Sequence, residues 1–118
     1  MEIFQLVYGS HARRAFTRPE LSSLLTVARA RNTASNVTGM LLYHDENFLQ
    51  VLEGNEVVVE ALYEKIRKDP RHAGCMILHR GHARERQFKE WTMAFRTPNA
   101  DELREAGLAD LRALELRR

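Results

Sequence analysis

The chain has 118 residues, of which 44% are hydrophobic, and its 18 basic and 16 acidic residues give a formal net charge of +2. This length and apolar content suit one compact domain with its own core. The nearly balanced charge and scattered arginines argue against nucleic-acid binding, and no apolar run approaches the ~20 residues that span a bilayer.

The cysteine content and the N-terminus indicate a cellular compartment. Cys75 is the single cysteine, so no disulfide can form within the chain and a reducing environment fits best. The N-terminus carries an acid and lacks the basic start and long apolar core of a signal peptide. We therefore expect a cytoplasmic protein that binds neither membranes nor nucleic acid.

The N-terminal part predicts a strand followed by a helix. Residues 3–8 alternate in the manner of a strand, which Gly9-Ser10 is expected to end. Thr17 and Glu20 have the spacing of a capping box, and leucines at helical spacing follow to about Arg31. A polar break before the next apolar run then ends the helix.

The central stretch predicts a β-hairpin. Two apolar runs, 37–43 and 48–52, flank a polar link at 44–47 that has the length of a short hairpin loop. Both faces of the second strand are apolar, so layers should cover the hairpin on both sides. Gln50 is the exception, and its amide needs polar partners because unpaired buried groups cost roughly 1–3 kcal/mol.

The remaining elements follow from caps and breakers. Asn55 can cap a second helix that Asp69-Pro70 stops. Short strands are predicted at 75–79 and 92–96, with a charged loop between them, and Asn99 can cap a last helical region.

This order, β-α-β-β-α-β-β, predicts an α+β, ferredoxin-like sheet with two helices on one face. We expect a domain at 1–97 and a C-terminal helical extension at 98–118 that covers the other face of the sheet. Alternatively, a partner protomer covers that face. In this topology the first and third strands are central neighbours, so Tyr8 and Gln50 can meet by a phenol-to-amide hydrogen bond. The alternative is a core tyrosine with a glutamine at the sheet rim.

No motif supports hydrolysis, nucleotide binding or a metal site, because Gly-rich phosphate loops and clustered His/Cys ligands are absent from the sequence. Several short motifs, taken together, resemble the BLUF domain, the family of blue-light sensors that use flavin. They cover about residues 1–97 in family order. The motifs are LVYGS at 6–10, Arg31-Asn32, TGMLLY at 38–43, FLQVLEG at 48–54, KDPRH at 68–72 and Trp91-Thr92-Met93.

The resemblance implies an oxidised flavin, FAD or alternatively FMN, held non-covalently between the two helices. Leu24 and Ile66 would sandwich the ring, unless they are plain core residues, and Asn32 would hydrogen-bond its polar edge. Lys65 could approach the phosphate, and Arg31, where the family often carries Asn or His, could contact either the ring edge or the phosphate. The residues implied to bind flavin are Tyr8, Leu24, Arg31, Asn32, Phe48, Gln50, Lys65 and Ile66.

The resemblance also implies a photoswitch and not an enzyme. Tyr8 would give an electron and a proton to the excited flavin and take them back, while Gln50 rotates or tautomerises and shifts the absorption to the red. Trp91 and Met93 match the family's signal-output strand, where one or the other lies near the glutamine. We expect a short photoreceptor without an attached effector domain, forming a homo-oligomer and signalling to an unidentified partner protein.

Two alternatives belong to other functional classes. One is a flavin-free binding module of the same fold. The other is an acylphosphatase-like small hydrolase, in which Arg13 or Arg14 and Asn36 would surround a phosphate, although the supporting Gly-rich anion loop is missing.

Overall fold

A computed structural model of the protein describes residues 2–88 and 93–96. In these two ranges, five strands form one sheet in the order β4-β1-β3-β2-β5, in which only the β2–β5 pair is parallel. The predicted element order and α+β, ferredoxin-like class are confirmed. The elements are β1 Ile3–Ala12, α1 Arg18–Ser35, β2 Thr38–His44, β3 Asn47–Gly54, α2 Glu56–Arg67, β4 His72–Ala83 and β5 Ala94–Arg96.

The predicted C-terminal extension at 98–118 and the domain boundary at 97 lie outside the described residues. Within the described part, neither helix is long and apolar enough to span a membrane.

The hairpin of β2 and β3 is covered on both faces, as its two apolar faces predicted. One core joins Leu25 of α1 and Leu62 of α2 to Leu52 and other residues of the same sheet face, so both helices lie on that face. A second, smaller core on the opposite face contains Val51 and Phe88. The alternation of β3 therefore separates a helix face from what we call the back face.

β1 is longer than its sequence pattern predicted. Gly9 and Ser10 do not end it, because Gly9 pairs with Leu49 on one side and Met76 on the other. A glycine inside a strand weakens that strand, but here β3 and β4 pair with β1 on both sides and hold it in place. The β1–β4 pairing instead accommodates irregularities at two points along the strand.

The capping box of α1 is confirmed, with the Thr17 side chain accepting from the Glu20 N–H and the Glu20 side chain accepting from the Thr17 N–H. The predicted polar break at 32–36 is wrong, because the helix runs on to Ser35. Asn36 ends it in the left-handed conformation, at φ 56° and ψ 41°. Asn32 is buried although it is polar, so the polarity of this stretch did not indicate that it belongs to the packed end of the helix.

The hairpin loop is shorter than the predicted link. His44 and Asn47 pair with each other, which leaves only Asp45 and Glu46 in the turn, at φ 47° and 65°. Two positive φ values identify a type I′ turn, whose twist matches that of paired strands.

In the second half of the chain, the strand β4 differs most in length from its prediction. The Asn55 cap is confirmed, since its Oδ1 accepts from the N–H groups of Val57 and Val58. β4 extends well beyond the predicted 75–79, into the stretch assigned to a charged loop, because β1 offers it a continuous pairing partner as far as Ile3. β5 is shorter than predicted and begins at residue 94.

Gly39 of β2 provides a test of this sheet packing. A Cβ there would lie 1.9 Å from the carbonyl oxygen of Val51, whereas a Cβ on Gly9 would meet nothing closer than 3.7 Å. We expect Gly39→Ala to lower the free energy of unfolding by roughly 1–3 kcal/mol or more, and Gly9→Ala to leave it nearly unchanged. Urea unfolding measures both, and equal stabilities of the two variants would contradict the packing described.

Candidate functional site

A cavity of about 130 Å³ lies between α1, α2 and the helix face of the sheet. It is lined by seven of the eight residues implied to bind flavin, namely Tyr8, Leu24, Arg31, Phe48, Gln50, Lys65 and Ile66. Leu24 and Ile66 come from different helices and are partly buried beside the main core. Their predicted role as a sandwich and their alternative role in core packing are thus both compatible with their position.

Tyr8 and Gln50 are directly opposite each other in the β1–β3 register. Both side chains are buried, and the Tyr8 hydroxyl donates a hydrogen bond to Oε1 of Gln50. The contact expected from the strand order is therefore present. Gln50 does not lie at an exposed rim, since only 5% of its surface is accessible.

The other end of the Gln50 amide faces a sulfur atom. Nε2 of Gln50 donates to Sδ of Met93 at 3.6 Å, and Met93 is itself buried. Nε of Arg29 on α1 donates to the Met93 carbonyl at 3.0 Å. Met93 thus lies next to the glutamine, while Trp91 lies outside the described residues.

Burial raises the pKa of Tyr8 well above its ordinary value, with a smaller opposing effect from Arg31. The charged phenolate is disfavoured because the surrounding core solvates it poorly. The ring of Tyr63 packs against Tyr8, with centroids 5.1 Å apart. Tyr8 is therefore a neutral phenol that keeps its proton for the Gln50 hydrogen bond.

Arg31 presents a buried donor at the cavity wall. Burial lowers the pKa of its guanidinium, and among the described residues its buried Nε has no hydrogen-bond acceptor. An unsatisfied buried donor is costly, so the position suits a ligand oxygen or a nearby anion. Asn32, by contrast, is fully buried and does not line the cavity, and its predicted role at the ring edge stays a prediction.

The cavity has further walls that sequence reasoning did not single out. Phe16 packs edge-on against Phe48, with centroids 5.1 Å apart, and its N–H donates to the Tyr43 hydroxyl. An aromatic residue inside an otherwise basic loop was the available signal for Phe16. The other lining residues not predicted as ligands are Ala28, Leu41, Asp69, Arg71 and His72.

Asp69, Arg71 and His72 connect α2 to β4 at this edge. Arg71 donates through Nε and one terminal nitrogen to the Asp69 carboxylate, and these bonds lower the pKa of Asp69. Nε2 of His72 donates to the carbonyl of Ile66 at 2.6 Å, and Nδ1 lies 2.8 Å from the Ser10 hydroxyl. His72 of β4 thus connects α2 and β1 through its side chain.

The residues of the alternative hydrolase site do not converge. The Arg13 N–H donates to the Arg71 carbonyl near the hairpin turn, and Arg14 forms an ion pair with Glu20. Asn36 lies at the opposite end of β3, where its carbonyl accepts from Arg86. In the described ranges, no three His, Cys, Asp or Glu side chains converge as metal ligands.

The family model of the sensors of blue-light using FAD matches residues 3–94. The chain belongs to the BLUF family. A BLUF domain is a photosensor module and not a catalyst, and the enzymatic activity of its relatives resides in separate effector domains.

Two curated relatives illustrate the range of proteins that carry such a domain. The chain is 40% identical over 93 residues to the photoactivated adenylate cyclase subunit beta of Euglena longa, covering 78% of this chain and 11% of the cyclase. It is 37% identical over 83 residues to the blue light- and temperature-regulated antirepressor BluF of Escherichia coli, covering 70% of this chain and 21% of BluF. The chain therefore spans only about a tenth to a fifth of these relatives.

Solved BLUF structures have the same architecture. The dark-state structure of the BLUF protein BlrB matches with a TM-score of 0.84 and 26% identity, covering 99% of this chain and 98% of BlrB. Photo-activated BlsA matches with a TM-score of 0.83 and 29% identity, covering 97% and 90% of the two chains. A bacterial light-regulated adenylyl cyclase matches with a TM-score of 0.81 and 30% identity, covering 98% of this chain and 34% of the cyclase.

The burial of Tyr8 makes stability depend on pH in the alkaline range. The pKa of Tyr8 is raised in the folded protein. Its contribution to the free energy of unfolding is therefore complete below the unfolded pKa of ~10 and is lost as pH rises above that value. We expect the slope of unfolding free energy against pH, above about pH 10, to be steeper in the wild type than in Tyr8→Phe by about 1.4 kcal/mol per pH unit. Identical slopes in urea unfolding series would show that Tyr8 is not buried as a neutral phenol.

Proposed function

We propose that this chain is a blue-light photoreceptor that binds oxidised FAD non-covalently in the cavity between α1 and α2. Its switch is the buried series Tyr8–Gln50–Met93. The observation that carries the proposal is the Gln50 amide, whose oxygen accepts from a phenol and whose nitrogen donates to a sulfur. Few side chains have an acceptor and a donor that exchange places by rotation about one bond.

The cavity has the chemical features that a flavin requires. Leu24 and Ile66 offer apolar surfaces from the two helices, and the buried Arg31 Nε offers a donor that has no other acceptor in the described part of the chain. Lys65 places positive charge at the same cavity, which suits a phosphate group. We favour FAD over FMN on the family's description, although one similar structure, of BlrP1, contains FMN.

Bound flavin would supply absorption of blue light and an excited state that oxidises a nearby phenol. On this chain, Tyr8 is the group that gives up an electron together with its hydroxyl proton and then regains both. Its neutral state is maintained by burial. Because Tyr8 ends as it began, the cycle changes hydrogen bonding without net oxidation.

Gln50 converts this transient event into a lasting one. While Tyr8 lacks its proton, the phenol oxygen attracts a donor, and a half-turn of the amide brings Nε2 towards Tyr8 and Oε1 towards Met93. The Met93 sulfur then loses the donor it has at 3.6 Å. The new arrangement persists until the amide turns back, so the lit state differs from the dark state in the orientation of the Gln50 amide.

The output would pass through Met93 to β5, the edge strand that pairs with β2. We propose that an effector protein, as yet unidentified, binds differently after this change.

We also propose a homo-oligomer, since Met76 and Leu78 expose 64% and 46% of their surface on the back face of β4. Light scattering that gives a monomer mass in both dark and light would contradict the oligomer.

Absorption spectroscopy tests the switch. We expect the purified protein to be yellow, to shift slightly to the red after a blue pulse, and to recover in the dark. Tyr8→Phe and Gln50→Ala should bind flavin and lose the shift, because each removes one end of the Tyr8–Gln50 hydrogen bond. Tyr43→Phe, a hydroxyl loss outside the series, should retain it.

Flavin released by denaturation and separated by chromatography identifies FAD or FMN. A colourless protein that no flavin can reconstitute would overturn the proposal and favour the flavin-free binding module. A shift that survives in Gln50→Ala would overturn the assigned switch while leaving the photoreceptor intact.

Met93→Leu probes the connection to the output strand. The variant keeps the apolar volume and removes the sulfur that accepts from Gln50. A weak hydrogen bond of this kind is worth about 0.5–1 kcal/mol, and the returning amide regains it as Nε2 turns back towards residue 93. Without the sulfur the barrier to return is higher, so dark recovery should slow by roughly twofold to fivefold. The decay of the red-shifted absorbance measures it, and an unchanged or faster recovery would show that Met93 does not hold the dark orientation.

A further inference from the structure

The back face of the sheet contains a fully buried carboxylate, that of Glu53. It lies on β3 near Gln50 but points to the opposite face, away from the cavity. Its cross-strand neighbours are Gln5 on β1 and Thr38 on β2, so three polar side chains form a row across the central strands. A buried charge of this kind is retained only where enough donors surround it.

Two donors to Glu53 come from the connection that follows β4, and two come from the neighbouring strands. The N–H groups of Gln87 and Phe88 donate to its two carboxylate oxygens, each at 2.8 Å. Gln5 Nε2 donates at 3.1 Å and the Thr38 hydroxyl at 3.3 Å. Each oxygen thus accepts two hydrogen bonds, one of which comes from the backbone of this connection.

Arg86 fixes the same connection from a second side. One terminal nitrogen donates to the Glu53 carbonyl at 2.8 Å and to the Thr38 hydroxyl at 2.9 Å. The other donates to the Asn36 carbonyl at 2.7 Å. The backbone of 86–88 is therefore attached to β3, to β2 and to the end of α1.

The anchored residues lie a short way before the output methionine. Phe88 is buried in the core of the back face, whereas Met93 is buried in the core of the helix face beside Gln50. The two ends of this short connection are thus held on opposite faces of the sheet. If Met93 is displaced, Phe88 stays in place because its side chain is buried and its N–H is bonded to Glu53.

We infer that Glu53 is a positioning residue for light signalling, which fixes the backbone of 86–88 so that a change at Gln50 moves Met93 and β5 and is not absorbed by the connection. The inference rests on the proposed photoswitch, because it concerns how the Gln50 change is transmitted. It assigns a role to a residue on the face of the sheet that flavin does not contact.

Glu53→Gln tests the anchor because the side-chain partners can adapt and the backbone cannot. Gln5 can flip its amide and Thr38 can rotate its hydroxyl to meet the new NH₂ group. The N–H of Gln87 or Phe88 has no such freedom, so one of the two backbone bonds must be lost. Glu60→Gln, which makes the same chemical change at the ion pair with Arg80 on the surface, is the matched control.

The measurement is amide hydrogen exchange, followed by NMR on the flavin-loaded full chain in the dark and under blue light. In the unaltered protein and in Glu60→Gln, we expect equal exchange at 86–88 in both conditions and a light-dependent change at 93–96. In Glu53→Gln, exchange at 86–88 should rise about tenfold, and the light-dependent change at 93–96 should shrink. The red shift should keep its size, because Glu53 points away from the cavity.

Unchanged exchange at 86–88 in Glu53→Gln, or an undiminished light response at 93–96, would overturn the inference. If the variant fails to bind flavin, Glu53→Asp decides, since it keeps the negative charge but shortens the side chain by one methylene and so weakens both backbone bonds. That variant should raise exchange at 86–88 about threefold, and no increase would overturn the inference. Absence of a red shift in the unaltered protein would instead overturn the proposed function and the transmission role with it.

Discussion

The structure depends on one amide placed where its two ends meet different partners. Gln50 lies in the middle of β3, with the Tyr8 phenol at its oxygen and the Met93 sulfur at its nitrogen. In a buried site each unsatisfied polar atom is costly, so the amide has two defined orientations and not a continuum. The switch that we propose needs two such defined orientations.

The rest of the fold maintains that constraint. β1 and β3 are neighbours in the middle of the sheet, which places Tyr8 directly opposite Gln50 and away from water. The helices leave a cavity on that face. The BLUF family, to which the chain belongs, consists of sensors of blue light that use FAD. On the back face, Glu53 and Phe88 hold the connection that leads to Met93. In the function that we propose, the helix face would hold the flavin and the back face would fix the connection to Met93.

Much of this arrangement could be predicted from local chemistry. The Thr17 capping box, the Asn55 cap and the alternation of the hairpin each depend on a few adjacent residues, and each is confirmed. The order of strands then follows from topology, which is why the Tyr8–Gln50 contact could be anticipated. The lengths of β1 and β4 could not, because each strand is extended by its neighbour and not by its own pattern.

The walls of the cavity were harder to predict for a similar reason. Arg71 and Phe16 reach it from loops whose course depends on the packed elements around them. Sequence reasoning did not single out Glu53, because two of the donors to its buried carboxylate are the backbone N–H groups of 87 and 88, which only the fold brings to it. The most direct test of the account is a light-minus-dark infrared difference spectrum with ¹³C-labelled glutamine side chains. The account predicts a reversible shift of an amide carbonyl band that disappears in Gln50→Ala. A red-shifted flavin without any change in the Gln50 carbonyl band would contradict it.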